Sequence, residues 1–245
     1  METAILIIEI LGVISFSISG ALVAIDKETD IFGVVFLAAI TTFGGGIMRD
    51  IIIGRIPAFF VSMPLYVVIS IVTSLTVFFI AMIFKKQYVR EEKLVEYIND
   101  FADAAGIAIF AVSSVRICLD FIPGCGAFLA IMMGMVSSIG GGMTRDMILR
   151  EIPFVLRKRI YALAVIAGSA VYYLSAVHIF KDSAMCEIIS VILGFITCFA
   201  IRLLAIRFKW NMPKAIKFSE ISTEKVEPEE QNDAENCAVY TNAEE

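Results

Sequence analysis

Fourteen residues, GGGIMRDIIIGRIP from Gly44 to Pro57, return 96 positions later as GGGMTRDMILREIP from Gly140 to Pro153. Three glycines, the Arg-Asp pair, two isoleucines and the proline recur in register. Just upstream, Thr41 and Thr42 are answered by Ser137 and Ser138. At an offset of 94, Glu9, Gly12, Phe16 and Ser19 correspond to Asp103, Gly106, Phe110 and Ser113. The two-residue shift falls in the loop between the first and second helices of each copy. A duplication like this constrains the fold more tightly than composition does, because both copies must satisfy one plan.

That plan is a membrane one. Of 245 residues, 59% are hydrophobic and 18% charged, outside the usual range of a soluble domain. Apolar segments near 20 residues, enough to span about 30 Å of hydrocarbon, cover 4–25, 31–53, 64–84, 101–119, 126–149, 160–180 and 184–206. The first lacks the basic start of a signal peptide and carries Glu2 and Glu9 instead, so it reads as a retained span. Each copy of the repeat holds three spans, an odd number, so the second copy enters the membrane from the opposite side. The expected fold is therefore an all-α polytopic membrane protein: two inverted three-helix repeats (4–84 and 101–180) joined by a charged cytoplasmic loop (85–100), plus a seventh helix (184–206).

Basic residues orient it. Lys27, Lys85, Lys86, Arg90, Lys93, Arg150, Arg157, Lys158, Arg159, Arg207, Lys209, Lys214, Lys217 and Lys225 fall on one side; Arg55, Arg116 and Lys181 fall on the other. The positive-inside rule puts the N-terminus outside and the C-terminus in the cytoplasm of a prokaryotic plasma membrane. The segment 211–245 holds nine acidic residues against three lysines, a composition that reads as a disordered cytoplasmic tail. The tail accounts for the net charge of −5, so that charge points to no nucleic-acid partner. Arg157, Lys158 and Arg159 are a candidate contact for anionic headgroups, with an ordinary positive-inside anchor as the plainer reading. The five cysteines contain no CxxC; Cys118 and Cys125 flank the fourth loop on the outer side, as a bridge or, more simply, as free apolar-packed thiols.

The glycine triplets sit deep. At 1.5 Å per residue, Gly44 lies about 20 Å from the cytoplasmic end of the second span, and Gly140 a similar distance from the outer end of the fifth. Three glycines in a row favour a kink or an unwound stretch, tolerated in hydrocarbon only where it is buried in protein or lines a wet cavity; close helix packing is the competing reading. An arginine within the bilayer needs a partner or a function. Topology groups Glu9 with Arg49 and Asp50 toward the outer side, and Asp103 with Arg145 and Asp146 toward the inner, each trio summing to −1. Each arginine serves as a gate or as a staple between helices.

Catalysis has little to stand on. The single histidine, His178, sits near the outer end of the sixth span, and no GxSxG, HExxH or Walker loop occurs. A scaffold would want unbroken helices. A channel or a carrier remains: hydroxyls and freed carbonyls replacing a cation's water shell, or half-helix ends and acids such as Asp50 holding a zwitterion. Residue types leave both open.

The doubled GGGxxRD with its proline seven residues after the Asp, the G-x3-F-x2-SG run of Gly12–Gly20 and the three-plus-three-plus-one spans resemble the prokaryotic branch of the trimeric intracellular cation channel family, whose repeat is also catalogued as a glycine-transporter domain. The resemblance covers residues 4 to 206. It implies a homotrimer with one pore per protomer lined by kinked second and fifth helices, conducting K⁺ and also Na⁺ without a cofactor, a tightly bound metal or an obligate protein partner; a small amino-acid transporter is the alternative. Carried over by motif, Thr41, Thr42, Gly44, Gly45, Gly46, Ser137, Ser138, Gly140, Gly141 and Gly142 line the pathway, with Arg49 and Arg145 as gate or packing charges. Ser114 departs from the pattern, standing where a glycine matching Gly20 is expected; a looser fourth helix would follow.

Overall fold

In a computed structural model of the chain, residues 2–58, 61, 63–85, 90–157, 160–179 and 184–208 are described. Lys158, Arg159, the side chain of Arg157 and the acidic tail lie outside them. The helices are α1 (Glu2–Asp26), α2 (Ile31–Ile53), α3 (Pro64–Ile83), α4 (Glu92–Phe121), α5 (Ala127–Ile148), α6 (Ala162–Leu174) and α7 (Ala184–Arg207). All fall within one unit, Met1–Asn211. Among the described residues, seven segments are long and apolar enough to cross a membrane, and no strand occurs.

Local chemistry sets several ends. Asp30 caps α2 by accepting from the Gly33 amide at 2.7 Å, filling one of the donors a helix start leaves open. Gly54 ends it in the left-handed region at φ 73°; the repeat-related Arg150 adopts the same conformation at φ 57°, though it carries a Cβ. Two boundaries differ from the sequence reading. α4 begins at Glu92 rather than Phe101, because EKLVEYIND is itself good helix sequence: charge marks where the bilayer ends, and a helix continues past it. α6 passes at Leu174 into a π-helical turn, Ser175–Ile179.

The core lies where the two units meet. Phe16 of α1 and Phe110 of α4 stack with ring centroids 5.2 Å apart. A Cβ on Gly12 would meet the side chains of Ile109 and Phe110, and one on Gly106 would meet Phe16 at 2.5 Å. Each glycine makes room for the phenylalanine of the other unit. Such reciprocity, residue i against j′ and j against i′, is what a twofold relation between the units requires. Cys118 and Cys125 are buried free thiols, their Sγ atoms 3.1 Å apart. Just past the C-terminal ends of α1 and α5, Lys27 binds Glu151 at 2.6 Å.

Candidate functional site

α2 and α5 form the most extensive helix pairing in the molecule. Both stay helical through their glycine triplets, so of the kink or unwound stretch expected from the sequence the unwound stretch is not found there, and the two helices approach closely instead. A Cβ on Gly45 would lie 1.9 Å from the Ser137 carbonyl oxygen, and one on Gly141 would lie 2.0 Å from that of Thr41. These two contacts are each other's repeat mates. Only glycine lets two backbones come this near. Gly44, Gly46, Gly140 and Gly142 are likewise buried, and a Cβ on Gly44 would be 3.2 Å from the Gly141 Cα.

Hydroxyls flank the crossing. Thr41 donates to Leu37 O at 2.7 Å, Thr42 to Ala38 O at 2.8 Å and Ser138 to Gly134 O at 2.6 Å, the back-bonding common for Ser and Thr in helices. Ser137, the mate of Thr41, is 2% exposed and its Oγ has no partner among the described residues. On the α1–α3 side, Ser17 lies 3.0 Å from Thr42 Oγ1 and donates to Ser70 at 2.8 Å. The mate of Ser17 is Ala111, so this polar string belongs to the first unit alone.

The charge cluster expected on the outer side joins four helices. Arg49, 1% exposed, binds Asp50 Oδ1 through Nε at 2.9 Å and Nη2 at 2.8 Å, and donates Nη1 to Ser114 at 3.0 Å. Glu9 accepts from Tyr66 at 2.6 Å and Ser113 at 2.8 Å. Arg55 stands 3.9 Å from Asp50. Glu9 and Arg49 thus bond the adjacent serines Ser113 and Ser114, and the charge of Arg55 offsets the −1 expected of Glu9, Arg49 and Asp50. Tyr66→Phe is expected to cost about 1.5–3 kcal/mol, the range for a hydrogen bond to a charged group, read as a lower melting temperature of the purified protein; an unchanged melt would mean the Tyr66–Glu9 bond contributes nothing.

The cluster expected on the inner side repeats the plan with different parts. Arg145 binds Asp146 Oδ1 through Nε at 2.9 Å and Nη2 at 2.7 Å, while Asp146 Oδ2 accepts the Phe154 amide at 2.8 Å. Asp103 accepts from Tyr161 at 3.2 Å and from Arg202 Nη2 at 3.2 Å. Arg202 comes from α7, and its charge cancels the −1 expected of Asp103, Arg145 and Asp146. Ser114 is fully buried without loosening α4. Where α1 carries Gly20 against Ala38 of α2, α5 carries Gly134 against Ala111 of α4. The small residue has moved to the facing helix.

A family profile described as "Glycine transporter" matches residues 6–82 and again 100–176. The chain is 34% identical over 210 residues to the UPF0126 inner membrane protein YadS of Escherichia coli K12, covering 84% of this chain and 93% of that protein. It is also 34% identical to a UPF0126 membrane protein of Vibrio cholerae, over 87% of this chain and 84% of the other. Among solved structures, a prokaryotic TRIC channel crystallised in 0.5 M KCl aligns with a TM-score of 0.75 and 31% identity, over 86% of this chain and 100% of the other. The TRIC trimeric intracellular cation channel orthologue from Rhodobacter sphaeroides gives 0.72 and 33%, over 84% and 99%. The chain belongs to the TRIC family.

Within this TRIC-family fold, Tyr66, Tyr161 and Arg202 belong to the charge clusters although the sequence reading assigned them no role there. Tyr66 and Tyr161 open the third helix of each unit and hold the repeat-related carboxylates Glu9 and Asp103. Their shared place, 57 residues after Glu9 and 58 after Asp103, was a signal available in the sequence. Arg202 was another, an arginine inside the last apolar span. His178 is exposed on the π-helical turn, its ring edge-on to Tyr173 at 6.2 Å, away from both clusters.

Proposed function

We propose that the chain forms a homotrimeric channel for monovalent cations, K⁺ and also Na⁺, with one pore in each protomer running between α2 and α5. Three-helix units inserted in opposite directions, with the N-terminus outside and the tail in the cytoplasm, put the two charge clusters at opposite ends of that path. The observation that carries the reading is the α2–α5 crossing, where Thr41, Thr42, Ser137 and Ser138 meet two glycine triplets between two buried arginine clusters. Likeness over almost the full length of proteins described as cation channels supports it. The crossing as it stands is closed, with backbone in contact at Gly45 and Gly141. Conduction therefore takes a bend of α2 and α5 at their triplets, where three glycines make the helix softest. Opening would expose the Thr41 and Ser137 carbonyls and the Ser137 hydroxyl to the ion.

The competing reading, a carrier of glycine or another small amino acid, draws on the profile's description. Proteoliposomes separate the two. Voltage-driven K⁺ flux that rises with the K⁺ gradient and ignores glycine is the expected result. Saturable uptake of labelled glycine without K⁺ conductance would overturn the channel.

A further inference from the structure

The seventh helix has no mate in the duplication, yet it sends one arginine into the second unit. Arg202 is 2% exposed, bonds Asp103, and lies 4.2 Å from the centre of the Tyr161 ring. Glu9, the mate of Asp103, takes its hydrogen bonds from two neutral hydroxyls. One repeat-related carboxylate is thus bonded to a cation tethered to the protein, and the other is not.

The inner cluster also holds two buried guanidinium nitrogens without a hydrogen-bond partner among the described residues. Arg49 finds Ser114, whereas the related position on α1 is Gly20, and Arg145 Nη1 has no partner among the described residues; nor has Arg202 Nε. The ties to Asp103, at 3.2 Å, are longer than those to Glu9. On the same end of the bundle, a cavity of about 500 Å³ is lined by Asp26, Glu92, Glu96 and Glu151 against the single cation Lys27. Phe154 is a wall of this cavity and also of the narrow crevice beside Arg145, Asp146 and Tyr161. The acidic cavity thus shares Phe154 with a crevice whose Tyr161 is hydrogen-bonded to Asp103.

We propose that Asp103 is a binding site for the permeating monovalent cation and that Arg202 is its built-in competitor. This inference rests on the channel reading above. A buried carboxylate does not stand uncompensated, so the arriving cation and the guanidinium exchange on Asp103. Arg202 stays above the Tyr161 ring, whose face holds a guanidinium without needing the carboxylate. The acidic cavity raises the local cation concentration from which the exchange draws. With Arg202 in competition, half-saturation of the flux comes at a higher cation concentration than Asp103 alone would give.

The test is K⁺ flux against K⁺ concentration in proteoliposomes for wild type, Arg202→Met, Arg202→Lys, Asp103→Asn and the Arg202→Met/Asp103→Asn double variant. Arg202→Met is expected to lower the half-saturating K⁺ roughly tenfold, the scale on which a bonded opposite charge alters a carboxylate's affinity for a cation such as the proton. Arg202→Lys keeps the wild-type value, and in the Asp103→Asn background Arg202→Met changes nothing further. Should Arg202→Met fail to fold, Arg202→Gln, which keeps a donor without the charge, carries the same comparison. An unmoved half-saturation in a conducting Arg202→Met or Arg202→Gln protein, or the same shift with Asp103 already replaced, overturns the competitor. A folded wild type that conducts no K⁺ overturns the channel reading and this inference together.

Discussion

Gly141→Ala is expected to abolish cation flux and lower the melting temperature, whereas Gly142→Ala, one residue along, is expected to leave both near wild type. The two substitutions add the same methyl to the same helix. At Gly141 the new carbon would stand 2.0 Å from the Thr41 carbonyl oxygen and 3.2 Å from that of Ile40. Both obstacles are backbone of a continuous helix, which has no rotamer to change. α2 and α5 must separate, and the reciprocal contact at Gly45 parts with them. Overpacking a tight interior costs about 1–3 kcal/mol and more where nothing yields. At Gly142 the nearest atom is the Tyr161 hydroxyl at 3.8 Å, an ordinary contact, and alanine favours a helix over glycine by about 1 kcal/mol. Flux measurements and thermal melts on the pair decide it: equal behaviour of the two variants would mean the helices do not meet at Gly141. Leucine at both Gly45 and Gly141, the harsher version, is expected to cost assembly as well as flux, since the clash is with backbone.

The second large effect is at the inner ion pair. Asp146→Ala removes both bonds to Arg145 and the acceptor of the Phe154 amide, leaving a guanidinium that is 1% exposed without its carboxylate. Breaking one side of a buried pair costs about 3–5 kcal/mol, while replacing both sides with apolar groups of similar size is often near neutral. Asp146→Ala should therefore melt far below wild type, and Arg145→Met/Asp146→Leu should melt above Asp146→Ala although it changes more. The order of the melting temperatures is the readout. A double variant less stable than the single one would show that Asp146 acts through more than its charge.

Much of this was legible. The seven spans follow from hydrocarbon thickness, and the duplication is written in Gly44–Pro57 and Gly140–Pro153. Arg49 and Arg145 announce themselves, because an arginine in an apolar run must be held by something. The start of α4 was misplaced at Phe101 because Glu92–Asp100 is polar, and polarity locates the membrane surface and not the helix end. Tyr66, Tyr161, Ser17 and Ser70 look like ordinary helix residues in one dimension; only their partners make them part of a site. The −1 assigned to each trio failed for the same reason, since Arg55, at a position where the second copy has Glu151, and Arg202, from the seventh helix, add a charge that the trios leave out.

The sequence by itself determined the helix number, the repeat and the residues that had to be paired, because the bilayer penalises every unsatisfied charge and backbone group whatever the packing. Tertiary structure alone decided what the glycines do. A run of three is compatible with a break or with a close crossing, and the choice turns on whether another backbone stands within a methyl's reach. At Gly45 and Gly141 one does, so the triplets bring two helices together, and any bending they permit has to begin from that contact.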